Sequence, residues 1–326
     1  MAAWPGGENH GFVAAIRQIA DQAAADLSGF VKSVHIIGAA SGIGAQDPGC
    51  AKGPWALQHS HAFRHIAHHP RVTWQETLYA RPSHGDTPLA QVHDLCERLC
   101  ADVRDALAAG VLPVVVGGDH SCAIGTWSGV HAFLGAGQAP GLLWLDAHMD
   151  SHTPETTYSG AIHGMPLACL LGVGDKRLVG VGGAGPKLRP EHTVLLGVRS
   201  YEPEEAEFLQ RLGVRVMAAP ELSRRGFESC FAEALDIVRQ AAGGFGISID
   251  LDVFEPRRVP GVGSAEPCGV QPEPVLASLA GLRTAPDLLA VEITEFNPGR
   301  DIEGRTAALL SRLIASFLPQ GTGPQD

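Results

Sequence analysis

Three short segments carry side chains whose types and spacing suit metal chemistry: Gly117-Gly118-Asp119-His120-Ser121, Asp146-Ala147-His148-Met149-Asp150 and Ser248-Ile249-Asp250-Leu251-Asp252. Each follows an apolar run. In extended backbone alternate residues share a face, so Asp146, His148 and Asp150 fall on one side, as do Asp250 and Asp252. Gathered with His120, these carboxylates and imidazoles repel one another and carry a heavy desolvation penalty unless cations neutralise them. Oxygen and imidazole donors without thiolate suit Mn²⁺, or Co²⁺, Ni²⁺ or Fe²⁺, better than a structural Zn²⁺. So many carboxylates call for two ions with shared ligands, and such a pair acidifies a bridging water, which implies hydrolysis. A single Asp-x-His-x-Asp is a weak signal, because such residues also satisfy loop backbones; three acid and histidine clusters at strand ends are a strong one.

The elements that must position these residues read as a layered α/β chain. Apolar, β-branched runs at Val34–Ile37, Val72–Thr77, Leu112–Val116, Leu142–Leu145, Val194–Val198, Val214–Met217, Gly246–Ile249 and Leu288–Ile293 give about eight strands. They are apolar at nearly every position, as expected of parallel strands covered on both faces. Pro88–Ala109 repeats Leu and Val at helical spacing, and Glu228–Ala242, Pro272–Leu282 and Asp301–Phe317 are similar. A three-layer α/β/α sandwich with a central, mostly parallel sheet follows, as one domain over residues 1–326. Asn9–Phe30 is expected to form an extra leading helix, and Pro319–Asp326 a frayed tail. Open α/β sheets bind ligands beyond the carboxyl ends of their strands, so the three segments should meet there.

These motifs resemble the arginase, agmatinase and formiminoglutamase family, whose signatures GGDHS, DAHxD and SxDxDxxDP occur here in order, the last with Glu255 in place of Asp. The resemblance runs from about Ile36 to about Leu313 and is closest to arginase. It implies an arginase fold and two Mn²⁺ ions. One ion is held by His120, Asp146, Asp150 and Asp250, and the other by Asp146, His148, Asp250 and Asp252. It also implies that Asp150 orients the attacking hydroxide, that His163 shuttles a proton to the departing amine, and that Glu295 pairs with the substrate guanidinium. The Asp150–Gly160 stretch aligns with the arginase loop around the amino-acid end of the substrate. Ser159 there matches a carboxylate-binding hydroxyl, and Glu202 replaces an Asp that contacts the α-amino group. His152 and Ala161 stand where arginases carry Asn, and Glu255 shifts a contact behind the metal ligands by one methylene. The implied reaction is L-arginine to L-ornithine and urea. Agmatine, 4-guanidinobutyrate and formiminoglutamate are alternative substrates, and a metal-bound regulatory relative without turnover is a non-enzyme alternative. A trimer or hexamer is implied by the same resemblance.

Composition narrows the remaining classes. A formal net charge of −11, with no basic cluster longer than a pair, argues against nucleic acid as partner. No apolar stretch reaches the length of a membrane span, and the amino-terminal residues lack a secretory pattern, so a cytoplasmic protein is expected. The seven cysteines are scattered without a CxxC pair and read as reduced, with Cys96 and Cys100 as core. Cys122 beside His120 is a candidate nucleophile for a rival Cys/His hydrolase, and a zinc deacetylase of related architecture is another rival. Gly180-Val181-Gly182-Gly183-Ala184-Gly185 matches a dinucleotide fingerprint in letters, yet Pro186 and Pro190 occupy the place of its helix, so it reads as a loop. His59, His61, His65, His68 and His69 read as an exposed helix face.

Overall fold

The computed structural model describes residues 32–81 and 87–318. Its centre is a nine-stranded sheet in the order β2-β1-β4-β9-β8-β5-β6-β7, with β3 also on β1. The strands are β1 (Val34–Ala40), β2 (Val72–Trp74), β3 (Leu78–Tyr79), β4 (Leu112–Gly117), β5 (Gly141–Leu145), β6 (Thr193–Leu196), β7 (Arg215–Met217), β8 (Phe245–Asp250) and β9 (Leu288–Thr294). Every paired neighbour in the sheet runs parallel.

The uninterrupted apolar runs have their expected cause. Val114, Val116, Leu143, Leu145, Ile247, Ile249, Val291 and Ile293 pack on one face with the helices Phe227–Val238, Pro272–Ala280 and Arg305–Ala315. Val115, Leu142, Trp144, Leu195 and Ala290 pack on the other with Pro88–Ala108, Ala123–Leu134 and Pro203–Leu212. Both faces of each central strand are therefore dry, which removes the polar alternation of a half-exposed strand.

Some boundaries differ from the sequence reading. The expected Val72–Thr77 strand stops at Trp74, and a separate short strand, Leu78–Tyr79, follows beyond its expected end; Thr77 between the two packs against Gly38, in the gap between the points where β2 and β3 meet β1. The last helix starts at Arg305, not Asp301: Glu303 and Gly304 take positive φ, and the Asp301 carboxylate accepts from the amides of Thr306 and Ala307 as a cap. The proposed leading helix and carboxyl-terminal tail lie outside the described residues. The histidines from His59 to His69 are exposed or half-buried, but only His65 lies within a helix, so they form no common helix face. The Gly-rich dinucleotide look-alike is a loop gathered around buried Lys187, whose Nζ donates to the carbonyls of Val179, Gly183 and Gly185 at 2.7, 2.8 and 2.7 Å. No described helix is long and apolar enough to cross a membrane.

Candidate metal centre and substrate cleft

Parallel order makes the site. The strands β4, β9, β8 and β5 are consecutive in the sheet, and the register pairs Val116 with Ile293, Ile249 with Ile293 and Leu145 with Ile249. The residues one to four places beyond these pairs therefore emerge side by side: His120, Glu295, Asp250 and Asp146. Gly118 is needed where the chain leaves β4, since a Cβ there would lie 1.8 Å from the Ser41 carbonyl oxygen. Asp119 ties that turn down, its carboxylate accepting from Ser41 Oγ and the Gly44 amide at 3.0 Å each and from the Ser121 amide and hydroxyl.

At the rim Asp146, Asp250 and Asp252 are each gripped on one side by backbone and left facing the cluster on the other. Asp146 Oδ1 accepts from the His148 amide at 2.7 Å, Asp250 Oδ1 from the Asp252 amide at 2.8 Å, and Asp252 Oδ1 from the Ala147 amide at 3.1 Å. Trp144 donates to Asp146 Oδ2 at 2.8 Å and stacks on the His120 ring at 4.3 Å. His120 Nδ1 lies 3.2, 3.0 and 3.1 Å from oxygens of Asp146, Asp150 and Asp250. His148 Nδ1 lies 2.9 Å from Asp252 Oδ2. Two compact donor groups result, His120 with Asp146 and Asp250, and Asp146 with His148 and Asp252.

These groups fit cations. Ser248 Oγ donates to Glu292 Oε2 at 2.8 Å and so accepts from His120 Nε2 at 3.0 Å, which places the ring hydrogen on Nε2. His120 Nδ1 is then a buried lone pair with no hydrogen-bond partner, aimed among three carboxylates. Lone pairs facing lone pairs in a dry site require a positive charge between them. The electrostatics say the same: burial and the Asp146 charge push Asp150 up to about 6, and burial with neighbouring carboxylates drives Asp250 and Asp252 upward too.

Glu295 and His163 form the waist of the cleft. Glu295 is buried and has φ +66°. Its Oε1 accepts from the His120 amide at 3.0 Å and meets His163 Nδ1 at 2.9 Å. Burial opposes the charge of His163, yet the Glu295 carboxylate pushes it up to about 9. Burial would likewise raise Glu295, but the His163 ring, the Cys50 thiol and the His120 amide hold it below the usual carboxylate range.

The distal end of the cleft gathers His152, Tyr158, Ser159, Glu202 and Glu205. His152 Nε2 lies 3.0 Å from Glu202 Oε2 and its Nδ1 3.1 Å from Thr156 Oγ1, so both ring nitrogens are engaged. Glu202 caps the Pro203–Leu212 helix, and buried Glu205 accepts from the amides of Ser151 and Glu202. Desolvation pushes Glu205 up to about 8. Ser159 is exposed, with Oγ accepting from the Ala161 amide at 3.1 Å.

Of the site residues expected from the sequence, His148, Asp150, His152, Ser159, His163, Glu202, Asp250, Asp252 and Glu295 line one cleft and buried His120 and Asp146 lie among them, whereas the Glu255 carboxylate turns away to accept from the Gly269 amide at 3.2 Å. Cys122 is wholly buried against the Ala39 carbonyl, and burial drives its thiol far upward, which removes it as a nucleophile. Sequence reasoning missed Glu292, Ser248 as the fixer of the His120 tautomer, and Cys50 beneath Glu295. A glutamate inside the apolar run of β9 was the available signal for the first.

The comparisons agree with this geometry. The family model described as "Arginase family" matches residues 32–319. The arginase of Bacillus caldovelox is 32% identical over 296 residues, covering 88% of this chain and 98% of that one. The crystal structure of arginase from Bacillus subtilis superposes with a TM-score of 0.82 at 31% identity, over 89% of this chain and 100% of that one. Formimidoylglutamase from the same species shares the fold, with a TM-score of 0.71 at 19% identity over 88% and 86% of the two chains. Match, fold and rim geometry together establish that the chain belongs to the arginase family of amidinohydrolase enzymes.

Proposed function

We propose that the protein hydrolyses a guanidino substrate to urea, with L-arginine, giving L-ornithine, as the first substrate. The observation that carries the proposal is the orphaned His120 Nδ1 among carboxylates, which calls for cations at this rim. His120, Asp146, Asp150 and Asp250 would hold one ion, and Asp146, His148, Asp250 and Asp252 a second; the donor set suits Mn²⁺, or Co²⁺, Ni²⁺ or Fe²⁺. When bound, such a pair supplies Lewis-acid activation of water.

The chain's own residues do the rest. Glu295 receives the planar guanidinium through charge-assisted hydrogen bonds. Asp150 accepts a hydrogen bond from the attacking water and directs its lone pair at the guanidinium carbon. As the carbon–nitrogen bond breaks, His163 supplies the proton to the leaving amine; its Nδ1 is tied to Glu295, so Nε2 is the delivering nitrogen. Ser159 keeps its hydroxyl hydrogen for a substrate carboxylate, and Glu202 is the partner for an α-ammonium.

The His152–Glu202 contact favours a second reading, a guanidino acid without the α-amino group such as 4-guanidinobutyrate, because an α-ammonium must displace His152 from Glu202. Urea release from arginine, agmatine and 4-guanidinobutyrate, and formamide release from formiminoglutamate, measured side by side after Mn²⁺ loading, separate these. A preference for agmatine makes the enzyme an agmatinase, and background release from every guanidino compound sinks the proposal.

A further inference from the structure

Glu295 has to present a charged oxygen to a guanidinium from a fixed position, so what holds each of its carboxylate oxygens matters. Oxygen Oε1 is held by the His120 amide and His163. Oxygen Oε2 has a different partner, the thiol of Cys50 at 3.1 Å. Cys50 is wholly buried on the short turn Pro48–Lys52. Burial, then the Glu295 charge, keep that sulfur protonated, so it donates.

The turn is itself clamped to the segment that follows Glu295. Asp47 Oδ1 accepts from the Gly49 amide at 2.9 Å, while its Oδ2 accepts from Asn297 Nδ2 at 3.2 Å and from Arg300 Nη2 at 2.7 Å. A donor on this turn therefore moves with the Glu295 segment. Gly263 bounds the carboxylate as well: a Cβ there would lie 2.1 Å from Oε2 and 3.2 Å from the Cys50 sulfur. The oxygen sits in a slot between the thiol and a bare backbone.

We propose that Cys50 is a positioning residue for the reaction, its thiol fixing Glu295 Oε2 where the substrate guanidinium arrives. A thiol is a weak donor, so it orients the oxygen while leaving most of its charge for the guanidinium. This rests on the reading of Glu295 as the guanidinium-binding carboxylate.

The test compares Cys50→Ser, which keeps a donor, with Cys50→Val and Cys50→Ala, which lose it, and with Glu295→Gln. All are assayed as manganese-loaded enzyme for kcat and KM on arginine, for calorimetric binding of guanidinium chloride, and for manganese content and melting temperature. The expected result is that Val and Ala raise KM and weaken guanidinium binding about tenfold, lowering kcat less, with manganese content unchanged, while Ser retains most of both. Should the Ala variant fail to fold, Val, which fills the space, decides. Wild-type KM and guanidinium affinity in a folded Cys50→Val overturn the proposal. A Ser variant as impaired as Val does so too, since the donor would then not be what matters. Guanidinium binding undisturbed by Glu295→Gln removes the underlying reading instead, and a defective Glu295→Gln beside a normal Cys50→Val removes only the role of Cys50.

Discussion

The rim of the sheet and the distal end of the cleft both collect acids and histidines, yet they settle their charges in opposite ways. At the rim, Asp146, Asp250 and Asp252 are each held by a backbone amide and turned toward one another, and His120 Nδ1 is left without a partner. At the distal end His152 lies on Glu202, and Glu205 takes the amides of Ser151 and Glu202, so that cluster satisfies itself. The first arrangement is complete only with cations added. The second is complete as it stands, and a substrate must exchange with contacts already made. Chemistry is therefore expected to live at the rim and selectivity at the distal end.

The most severe test of that contrast is Asp250→Asn. With a shared carboxylate gone, kcat/KM under saturating manganese should fall at least ~10³-fold, in keeping with loss of a metal-activated nucleophile. The metal-free variant should melt no lower than the metal-free wild type, because one crowded charge has been relieved while the Asp252 amide keeps an oxygen acceptor. Calorimetric scans with and without manganese check this, and a metal-free variant that melts far lower would show that the rim is not frustrated.

His163→Ala should reduce kcat by about 10²- to 10⁴-fold, the usual worth of a positioned proton donor, with partial rescue by added imidazole. The pH profile sharpens the same assignment. A donor works while protonated, and His163 is pushed up to about 9, so turnover should hold through neutral pH and decline as pH rises through about 9. A descending limb near the ordinary imidazole value of ~6.5 would contradict the Glu295 contact as its cause.

The distal changes should be milder. Glu202→Gln is expected to raise KM for arginine about tenfold while leaving kcat within about twofold and manganese affinity untouched, the signature of binding that is uniform through the reaction. For 4-guanidinobutyrate, which has no α-amino group, KM should barely move. A large kcat effect from this substitution would erase the division between the two regions.

Different parts of the molecule were legible for different reasons. The central strands could be read from their unbroken apolar runs, since burial on both faces leaves no polar alternation to misplace. The rim could be read because its ligands sit one to five residues past those runs, within a distance that local geometry controls. The early end of the second strand at Trp74 was not legible, since Thr77 beyond it packs against Gly38 from another segment. The late start of the last helix depends on two residues at positive φ that propensity does not foresee. Cys50 and Glu292 touch the site from 245 and 172 residues away from Glu295 and His120, and nothing local marks them.

By itself the sequence determined which donors are available and at what spacing, and hence that parallel strands would deliver carboxylates and imidazoles to one edge needing cations. Only the tertiary structure decided the tautomer of His120, the pairing of His152 with Glu202 and the thiol beneath Glu295. The reason is physical: spacing along an extended strand is a local property of the backbone, whereas the direction of a lone pair is set by whichever distant side chain occupies the opposite nitrogen or oxygen.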